Sequence, residues 1–432
     1  MSKRLFLLGL FLSLPVYAIS PKPADPQVEP VALVGVTAHV GNGEVVSEAT
    51  VAFANGILTY VGAMADADVK GHRIVEATGQ HVYPGFILPA SNLGLVEVSA
   101  LRASVDQRER GSLNPNVRSL VAYNTDSEIT PTLRFNGVLL AQITPSGGLV
   151  AGQSSIVELD AWNWEDAAYK IDDGMHINWP THKQFEFNRS TLTVELVDNK
   201  NRQQALKAMR GLFDEARGYQ TDADVPVNIK LKSMAKLFAG SQQLFIHTNR
   251  ARDIVDSINF AKGYGIHRLV IIGGLDALQV SDILVKEKVP VILNSIHRLP
   301  SASHSGYDDP YRLPARLVAA GVKVGLTITF NISGRNLPFV AGTAAAHGLD
   351  PDSALQLITR NNTEILGIAD RVGTLAVGKD ATLFVSPGDA LDMRSNNLTH
   401  AFVRGRGIVL KGMQEELHER FREKYTQGGN SE

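Results

Sequence analysis

His247 is the best candidate in this sequence for a side chain that binds a metal ion or moves a proton. It follows the apolar run 244–246 and precedes Thr248-Asn249-Arg250. An imidazole at the end of a buried strand can bind a divalent metal ion or accept a proton. A catalytic zinc ion usually needs three protein ligands and an open position, so one imidazole is too few. His247 is therefore interpreted either as a residue lining a pocket or as a histidine whose hydrogen bonds are satisfied inside the protein.

A second group of candidate ligands lies in a loop between residues 297 and 309. Its members are His297, His304, Asp308 and Asp309. Imidazoles and carboxylates of this kind could hold a metal ion. A loop of mixed charge is more commonly just solvated, so both readings stay open. The remaining histidines, among them His176, His182 and His347, have no spacing that singles them out.

Nucleophilic chemistry has no local motif in this chain. Residues 152–156 read Gly-Gln-Ser-Ser-Ile and lack the last glycine of a Gly-x-Ser-x-Gly elbow. The His-Glu-x-x-His and dinucleotide-binding patterns are also missing from the sequence. A Ser/His/Asp set that is assembled only in the folded protein stays open.

The chain is organised around residues 81–95, which lead into a short buried strand at 85–87 and then into a loop. Pro89 and Gly94 punctuate that loop. Leu88, Ala90 and Asn92 lie directly after the strand, in that loop.

Length and composition describe an ordinary globular protein. The chain has 432 residues, of which 44% are hydrophobic and 20% charged, enough for one large domain and a smaller one. A formal net charge of −2 gives no electrostatic reason to expect a nucleic acid or an anionic membrane as partner. The absence of cysteine from the sequence excludes disulfides, thiolate nucleophiles and thiolate zinc sites.

The N-terminus predicts a secretory signal peptide. Lys3 and Arg4 precede the apolar run 5–16, and Val16 and Ala18 are small residues placed for cleavage after Ala18. The run is shorter than the about 20 residues that a membrane span needs. The sequence therefore predicts a periplasmic protein without a membrane span after cleavage. A buried N-terminal helix is the alternative.

Two kinds of element follow. Residues 31–81 form short strands and turns, with Asn55-Gly56 as a strong hairpin signal. From 244 to 330, continuously apolar strands alternate with helices, which indicates a parallel sheet covered on both faces. Repeated units of this kind favour a barrel over an open doubly wound sheet. The glycine-rich residues 146–152 are interpreted as a tight turn in preference to an anion cradle.

Three separated pieces carry a resemblance to a known family. They are residues 82–87 (Val-Tyr-Pro-Gly-Phe-Ile), residues 245–250 (Phe-Ile-His-Thr-Asn-Arg), and residues 354–381, which end in Gly-Thr-Leu-Ala-Val-Gly-Lys-Asp-Ala. Together they resemble the amidohydrolase superfamily, closest to its imidazolonepropionase-like members. The resemblance runs from about residue 31 to residue 411.

The resemblance implies an α/β fold, a distorted (β/α)8 TIM barrel of the metallo-dependent hydrolase type, with a small β-sandwich formed by the N- and C-terminal segments. The implied boundaries are 1–18 for the signal peptide, 19–81 and 371–412 for the two parts of the composite β domain, 82–370 for the barrel, and 413–432 for a C-terminal helix and tail. Members of this group hydrolyse carbon–nitrogen bonds with a metal-bound water and an aspartate at the last strand.

Most positions of that machinery are replaced here. In the family pattern, Ala90 and Asn92 stand where two imidazoles are expected, and Leu88 stands at the aspartate of the same run. Gly273-Gly274 stands where a further imidazole is expected, and residues 327–329 (Thr-Ile-Thr) stand where the aspartate after the last strand would fall. Only His247 remains as a metal-ligand position. The pocket candidates are accordingly His247, Asn92 and Thr329. No cofactor is expected, and zinc or another divalent ion at His247 is the alternative.

Two hypotheses about function follow. The first is a hydrolase acting on a small amide, in which classical zinc-water catalysis is doubtful. The second is a non-catalytic periplasmic binding or subunit protein, either a homodimer or the partner of an active relative. The predicted contact with the partner subunit is either Trp162 with Trp164 or the C-terminal helix.

Overall fold

The computed structural model describes residues 22–219, 226–294, 296–300 and 305–428. The predicted signal peptide and His304 lie outside these ranges. The strands are β1 (Val31–His39), β2 (Val45–Ala54), β3 (Ile57–Ala63), β4 (Arg73–Glu76), β5 (His81–Pro84), β6 (Phe86–Ser91), β7 (Val138–Ile143), β8 (Val150–Glu158), β9 (Ala168–Asn178), β10 (Lys183–Asn188), β11 (Thr193–Asp198), β12 (Gln243–Thr248), β13 (Leu269–Gly273), β14 (Val291–Asn294), β15 (Val324–Thr327), β16 (Leu383–Ser386), β17 (His400–Val403) and β18 (Arg406–Gly407).

The α-helices lie mainly between the barrel strands. They are α1 (Thr130–Arg134), α2 (Trp164–Ala167), α3 (Arg202–Gly218), α4 (Ile229–Ser233), α5 (Ala235–Phe238), α6 (Ala251–Gly263), α7 (Ser281–Lys286), α8 (Asp309–Ala319), α9 (Leu337–Ala346), α10 (Pro351–Ile358), α11 (Arg360–Leu366) and α12 (Met413–Gly428). Short 3-10 helices occupy Met64–Asp66, Arg102–Ser104, Ser119–Ala122, Ala277–Val280 and Ile332–Asn336. Within the described part of the chain, no helix combines the length and apolarity that crossing a bilayer requires.

Strands from both ends of the chain share one sheet, as the sequence predicts. Its order is β18-β17-β16-β5-β1-β2-β3, with β4 paired to β1, and it encloses a core of its own. The Asn55-Gly56 hairpin is confirmed between β2 and β3. Both residues have positive φ, 51° and 80°, which is why an asparagine and a glycine occupy a turn of this twist.

The barrel sheet has the order β15-β14-β13-β12-β9-β8-β7-β6. The predicted alternation of strands and helices from β12 to β15 is confirmed, and these strands are parallel. One element departs from the all-parallel pattern: β8 runs antiparallel to both β7 and β9. The connection between β7 and β8, residues 144–149, is too short for a parallel crossover, so the chain must turn back as a hairpin.

Side chains close the seam between the first and last barrel strands. The Thr327 hydroxyl donates to the Pro89 carbonyl. The Asn362 amide donates to the carbonyl oxygens of Ile87 at 2.9 Å and Leu326 at 3.0 Å. Gly325 is required beside Asn362, because a Cβ there would collide with the amide oxygen. A buried asparagine thus supplies contacts that strand pairing supplies elsewhere in the barrel.

The glycine-rich residues 146–152 form a turn at the barrel mouth. Gly147 and Gly148 have φ of 82° and 68°, and a Cβ on Gly148 would lie 2.9 Å from the Ser112 carbonyl oxygen. The N–H groups of Ser146 and Leu149 donate to backbone carbonyls of the preceding loop. These N–H groups are therefore used within the protein, as expected of a tight turn.

A two-stranded hairpin, β10–β11, projects beyond the barrel. Directly paired positions place phenylalanine opposite leucine and valine on one face. This exposed apolar surface was not predicted from the sequence. Its members are between 43% and 76% exposed: Phe185, Phe187, Leu192, Val194 and Leu196.

Candidate functional site

Neutral polar residues stand where the barrel strands end. Asn178 ends β9, His247 is the penultimate residue of β12, and Asn294 ends β14. Asn92 follows β6 and Thr329 follows β15. The carboxyl ends of parallel barrel strands meet at one mouth, where such barrels carry their chemistry. Amide, hydroxyl and imidazole groups are thus found at this end of the barrel.

The structure brings two of the three predicted pocket residues together. The Asn92 N–H donates to the Thr329 carbonyl oxygen at 3.4 Å. Thr329 also exchanges hydrogen bonds with Asn294: its N–H donates to Oδ1 at 3.3 Å, and its hydroxyl accepts from Nδ2 at 3.2 Å. His247 lies apart from this pair, because β13 and β14 separate β12 from β15.

The positions of a catalytic metal site are filled in ways that do not fit a metal ion. Ala90 (φ 50°) offers only a methyl group, and its N–H donates to Gln142 Oε1 at 3.0 Å. The Asn92 amide donates to Gln107 Oε1 at 2.8 Å. At Gly273 (φ 108°) a Cβ would lie 2.5 Å from the Asn249 Oδ1 atom, so no imidazole has room.

The resemblance places an aspartate within residues 327–329, and the first of these, Thr327, donates its hydroxyl to a backbone carbonyl across the seam. Within the described ranges, no group of three or more histidine, aspartate or glutamate side chains is placed to hold a metal ion. His247 alone is too small a ligand set for zinc.

The loop candidates are not assembled either. His297 Nε2 hydrogen-bonds the Thr343 hydroxyl at 2.7 Å. Asp308 pairs with Arg312 at 2.7 Å, and Asp309 pairs with Arg316 at 3.4 Å. These three residues are therefore engaged with separate partners.

His247 is the outer end of a hydrogen-bonded chain that runs into the barrel. His247 Nε2 lies 3.0 Å from His176 Nδ1, and His176 Nε2 lies 2.9 Å from the Ser154 Oγ atom. The Ser154 hydroxyl donates to Asp173 Oδ1 at 2.7 Å. We call these four residues the Asp173–His247 chain. Only His247 is partly exposed; the other three are buried, Asp173 being 3% exposed.

Neighbouring strands explain why these residues meet. Ser154 is on β8, Asp173 and His176 are on β9, and His247 is on β12. The His176 ring stacks on Phe245 at 4.7 Å between centroids. Gln142 on β7 closes the arrangement, because its amide donates to Asp173 Oδ2 at 2.7 Å and to Ser154 Oγ at 3.1 Å.

Burial determines the protonation states of the titratable residues in the Asp173–His247 chain. It lowers the pKa of His247 to about 4, and burial together with the adjacent imidazole lowers the pKa of His176 well below its usual value. Burial raises the pKa of Asp173 to about 6, against the opposing effect of the hydrogen bonds from Ser154 and Gln142. At neutral pH both imidazoles are therefore neutral and Asp173 is ionised.

These protonation states fix the direction of every hydrogen bond. Ionised Asp173 only accepts, so Ser154 donates its hydroxyl proton to it and accepts from His176 Nε2–H. His176 Nδ1 then accepts from His247 Nε2–H. His247 consequently presents Nδ1 as a lone pair at the mouth, since a neutral imidazole protonated on one nitrogen accepts on the other.

The arrangement differs from a catalytic triad. In a triad the histidine lies between the serine and the acid, whereas here Ser154 lies between His176 and Asp173. Ser154 is fully buried, so it cannot attack a ligand at the mouth. The set of serine, histidine and aspartate that the sequence left open is thus assembled, but it orients His247 instead of activating the serine.

Sequence reasoning missed Gln142, Ser154, Asp173 and His176. The usable signal was alternation along β9, in which Gly174, His176 and Asn178 alternate with apolar Met175 and Ile177. In a strand, alternate residues face the same side. A polar residue repeating on the inner face of an apolar barrel strand indicates an internal hydrogen-bond network.

Comparison with known proteins gives a family match for part of the chain and solved structures with the same fold. Residues 243–412 match the Amidohydrolase family. The crystal structure of an amidohydrolase from Thermotoga maritima MSB8 superposes with a TM-score of 0.77 at 23% identity, covering 88% of this chain and 99% of that one. The structure of molinate hydrolase gives a TM-score of 0.54 at 17% identity, covering 89% and 96%. At these identities the likeness shows the fold.

The similarity to the Amidohydrolase family thus lies in residues 243–412, and the likeness to the solved amidohydrolase structure extends the shared fold to most of the chain. A protein named amidohydrolase tasK from Hapsidospora irregularis is 34% identical over 120 residues, which are 25% of this chain and 12% of that protein. The match therefore spans a small part of that relative. The resemblance to amidohydrolases predicted from the sequence is confirmed over residues 243–412 and in the fold, and the imidazolonepropionase-like assignment stays a prediction.

Proposed function

We propose that the barrel mouth binds a small, neutral, amide-like ligand and that the protein does not hydrolyse it through a metal-bound water. One observation carries the proposal: the vacated metal positions are rebuilt, not merely empty. The Ala90 N–H, the Asn92 Nδ2 group and the Thr327 hydroxyl donate to acceptors inside the protein, and Gly273 has no room for a side chain. An ion at this place would find one imidazole and no carboxylate among these residues.

The class of ligand follows from the polar atoms at the mouth. Asn92 Oδ1 is buried and has no hydrogen-bond partner within the described residues. His247 presents Nδ1 as an acceptor. A buried acceptor without a partner costs about 1–3 kcal/mol, which a ligand N–H would relieve. Two acceptors on a neutral wall favour an amide or cyclic amide over a cation or an anion.

Metal-independent hydrolysis of a carbon–nitrogen bond is the second candidate function. The Asp173–His247 chain favours it, because a positioned imidazole with a free lone pair can act as a general base. The low pKa of His247, about 4, makes it a weak base at neutral pH. The binding function is therefore preferred over the hydrolytic one.

A periplasmic location and a dimeric or paired state belong to the same proposal. They rest on the signal-like residues 1–18 and on exposed aromatic surface such as Trp162, which is 61% exposed. Sedimentation of the mature protein, alone and with an active relative, tests the pairing. A single species of monomer mass in both samples would refute it.

Metal analysis and ligand titration test the main proposal together. The purified protein is expected to hold less than one equivalent of divalent metal and to bind a neutral cyclic or acyclic amide in a calorimetric titration. His247→Phe and Asn92→Ala should each weaken that binding, while His267→Ala, an exposed histidine outside the strand-end residues, should not. Stoichiometric zinc that is lost on chelation together with amide hydrolysis would refute the proposal.

A further inference from the structure

A cleft on the outer surface of the barrel lies between helices α3 and α6. Its volume is about 570 Å³, and its walls include Trp179, Arg202, Arg210, Phe260 and Tyr264. None of the mouth residues Asn92, His247, Asn294 or Thr329 lines it. We propose that this cleft is a second binding site, for a small carboxylate-bearing ligand with a flat apolar body.

Two buried hydrogen-bond donors on the walls of the cleft have no acceptor. Trp179 is 5% exposed, and its indole Nε1 has no partner within the described residues. Arg202 pairs through Nη2 with Asp256 at 2.8 Å, but its Nε is buried without a partner. Folded proteins satisfy most such groups, so two orphan donors on one cleft point to an acceptor that the chain itself does not supply.

The charges on the walls favour an anion as that acceptor. Three guanidinium groups, on Arg202, Arg210 and Arg217, stand against two carboxylates, on Asp214 and Asp256. Asp256 is held by Arg202, while Arg217 lies 3.9 Å from Asp214. Within the described part of the chain, no carboxylate lies in ion-pair distance of Arg210. Hydrogen bonds from arginine and indole to a carboxylate are charge-assisted and stronger than neutral ones.

Aromatic rings give the cleft a place for a flat apolar group. Trp179 packs edge-on against Phe260 with centroids 5.3 Å apart, and Phe260 lies 5.0 Å from Tyr264. The Arg217 guanidinium lies 5.2 Å above the Tyr264 ring. An aromatic body could add to this cluster in an offset or edge-to-face arrangement while its carboxylate meets the two donors.

A groove between neighbouring helices with solvated arginine side chains is the ordinary alternative. It predicts weak binding that depends on net charge only. The proposed site instead predicts that binding depends on the indole N–H, on the carboxylate and on the apolar body, each of which can be removed separately.

Isothermal titration of the mature protein with benzoate tests the inference. Saturable binding of one equivalent is expected, weakened about tenfold by Trp179→Phe, which keeps a ring and removes the N–H, and by Arg210→Gln. Arg252→Gln, an exposed arginine of α6 outside the cleft, is the matched control and should leave binding unchanged. His247→Phe should also leave it unchanged, which separates this site from the mouth.

Three outcomes would overturn the inference. They are no binding of benzoate, equal binding of the neutral isostere benzamide or of inorganic phosphate, and equal binding by Trp179→Phe and the unchanged protein. Because Arg210 is exposed, Arg210→Gln keeps the test decisive if Trp179→Phe fails to fold.

Discussion

The buried carboxylate of Asp173 should make the stability of this protein depend on pH in an unusual direction. Its pKa is about 6 in the folded protein, against an ordinary value of 3.8. The folded-state pKa is raised, so the residue's favourable contribution is fully present below pH 3.8 and is lost as pH rises through 6. Replacing Asp173 by asparagine removes the titrating group while keeping its size.

The magnitude follows from the shift. About two pKa units at roughly 1.4 kcal/mol per unit give a loss of about 3 kcal/mol in the free energy of unfolding between pH 4 and pH 7. The burial of Asp173, which is 3% exposed, supports using the shift in this way. Other carboxylates also titrate over this range, so the useful quantity is the difference between the unchanged protein and Asp173→Asn.

Urea denaturation at several pH values from 3.5 to 8 measures that difference. Asp173→Asn resembles the protonated carboxyl, so its stability should be closest to that of the unchanged protein at low pH and should rise relative to it as pH increases through 6. Glu186→Gln, at an exposed position of β10, is the control and should show no such pH-dependent difference. A difference between the two proteins that stays constant with pH would refute the reasoning about Asp173.

Three further outcomes are expected from the barrel. Asn362→Ala should lower the free energy of unfolding by about 2 kcal/mol because two seam hydrogen bonds are lost, whereas Asn361→Ala, which loses one bond, should cost about half as much; equal effects in urea denaturation would contradict this account. Restoring histidine at Ala90 and Asn92 together should not yield stoichiometric zinc by elemental analysis, since the remaining ligand positions are still missing, and one bound equivalent would argue otherwise. Gly273→Ala should destabilise the fold by at least about 1–3 kcal/mol because φ is 108° and the Cβ meets a side chain; a thermal midpoint equal to that of the unchanged protein would show that the strand end can relax.

Much of the fold was readable because local rules determine it. The Asn55-Gly56 turn needs two residues of positive φ, and the alternation of apolar strands with helices after residue 243 permits few arrangements other than a parallel barrel. The antiparallel strand β8 was missed, although the short connection at 144–149 forces it. Residues 351–366 form two helices, α10 and α11, because Thr359 between them has a ψ of −99°, which is not helical.

For the candidate site too, the sequence determined one part and the tertiary structure the other. Because residue identity decides which groups can bind a metal ion, comparison of the sequence with the family pattern showed that imidazoles are missing at 90, 92 and 273–274 and an aspartate at 327–329. The tertiary structure decided what replaced them. Hydrogen bonds between residues as distant in the chain as Ser154 and His176, or Thr327 and Pro89, depend on which strands become neighbours and which faces turn inward. No local pattern carries that information, since the packing of the whole barrel sets it.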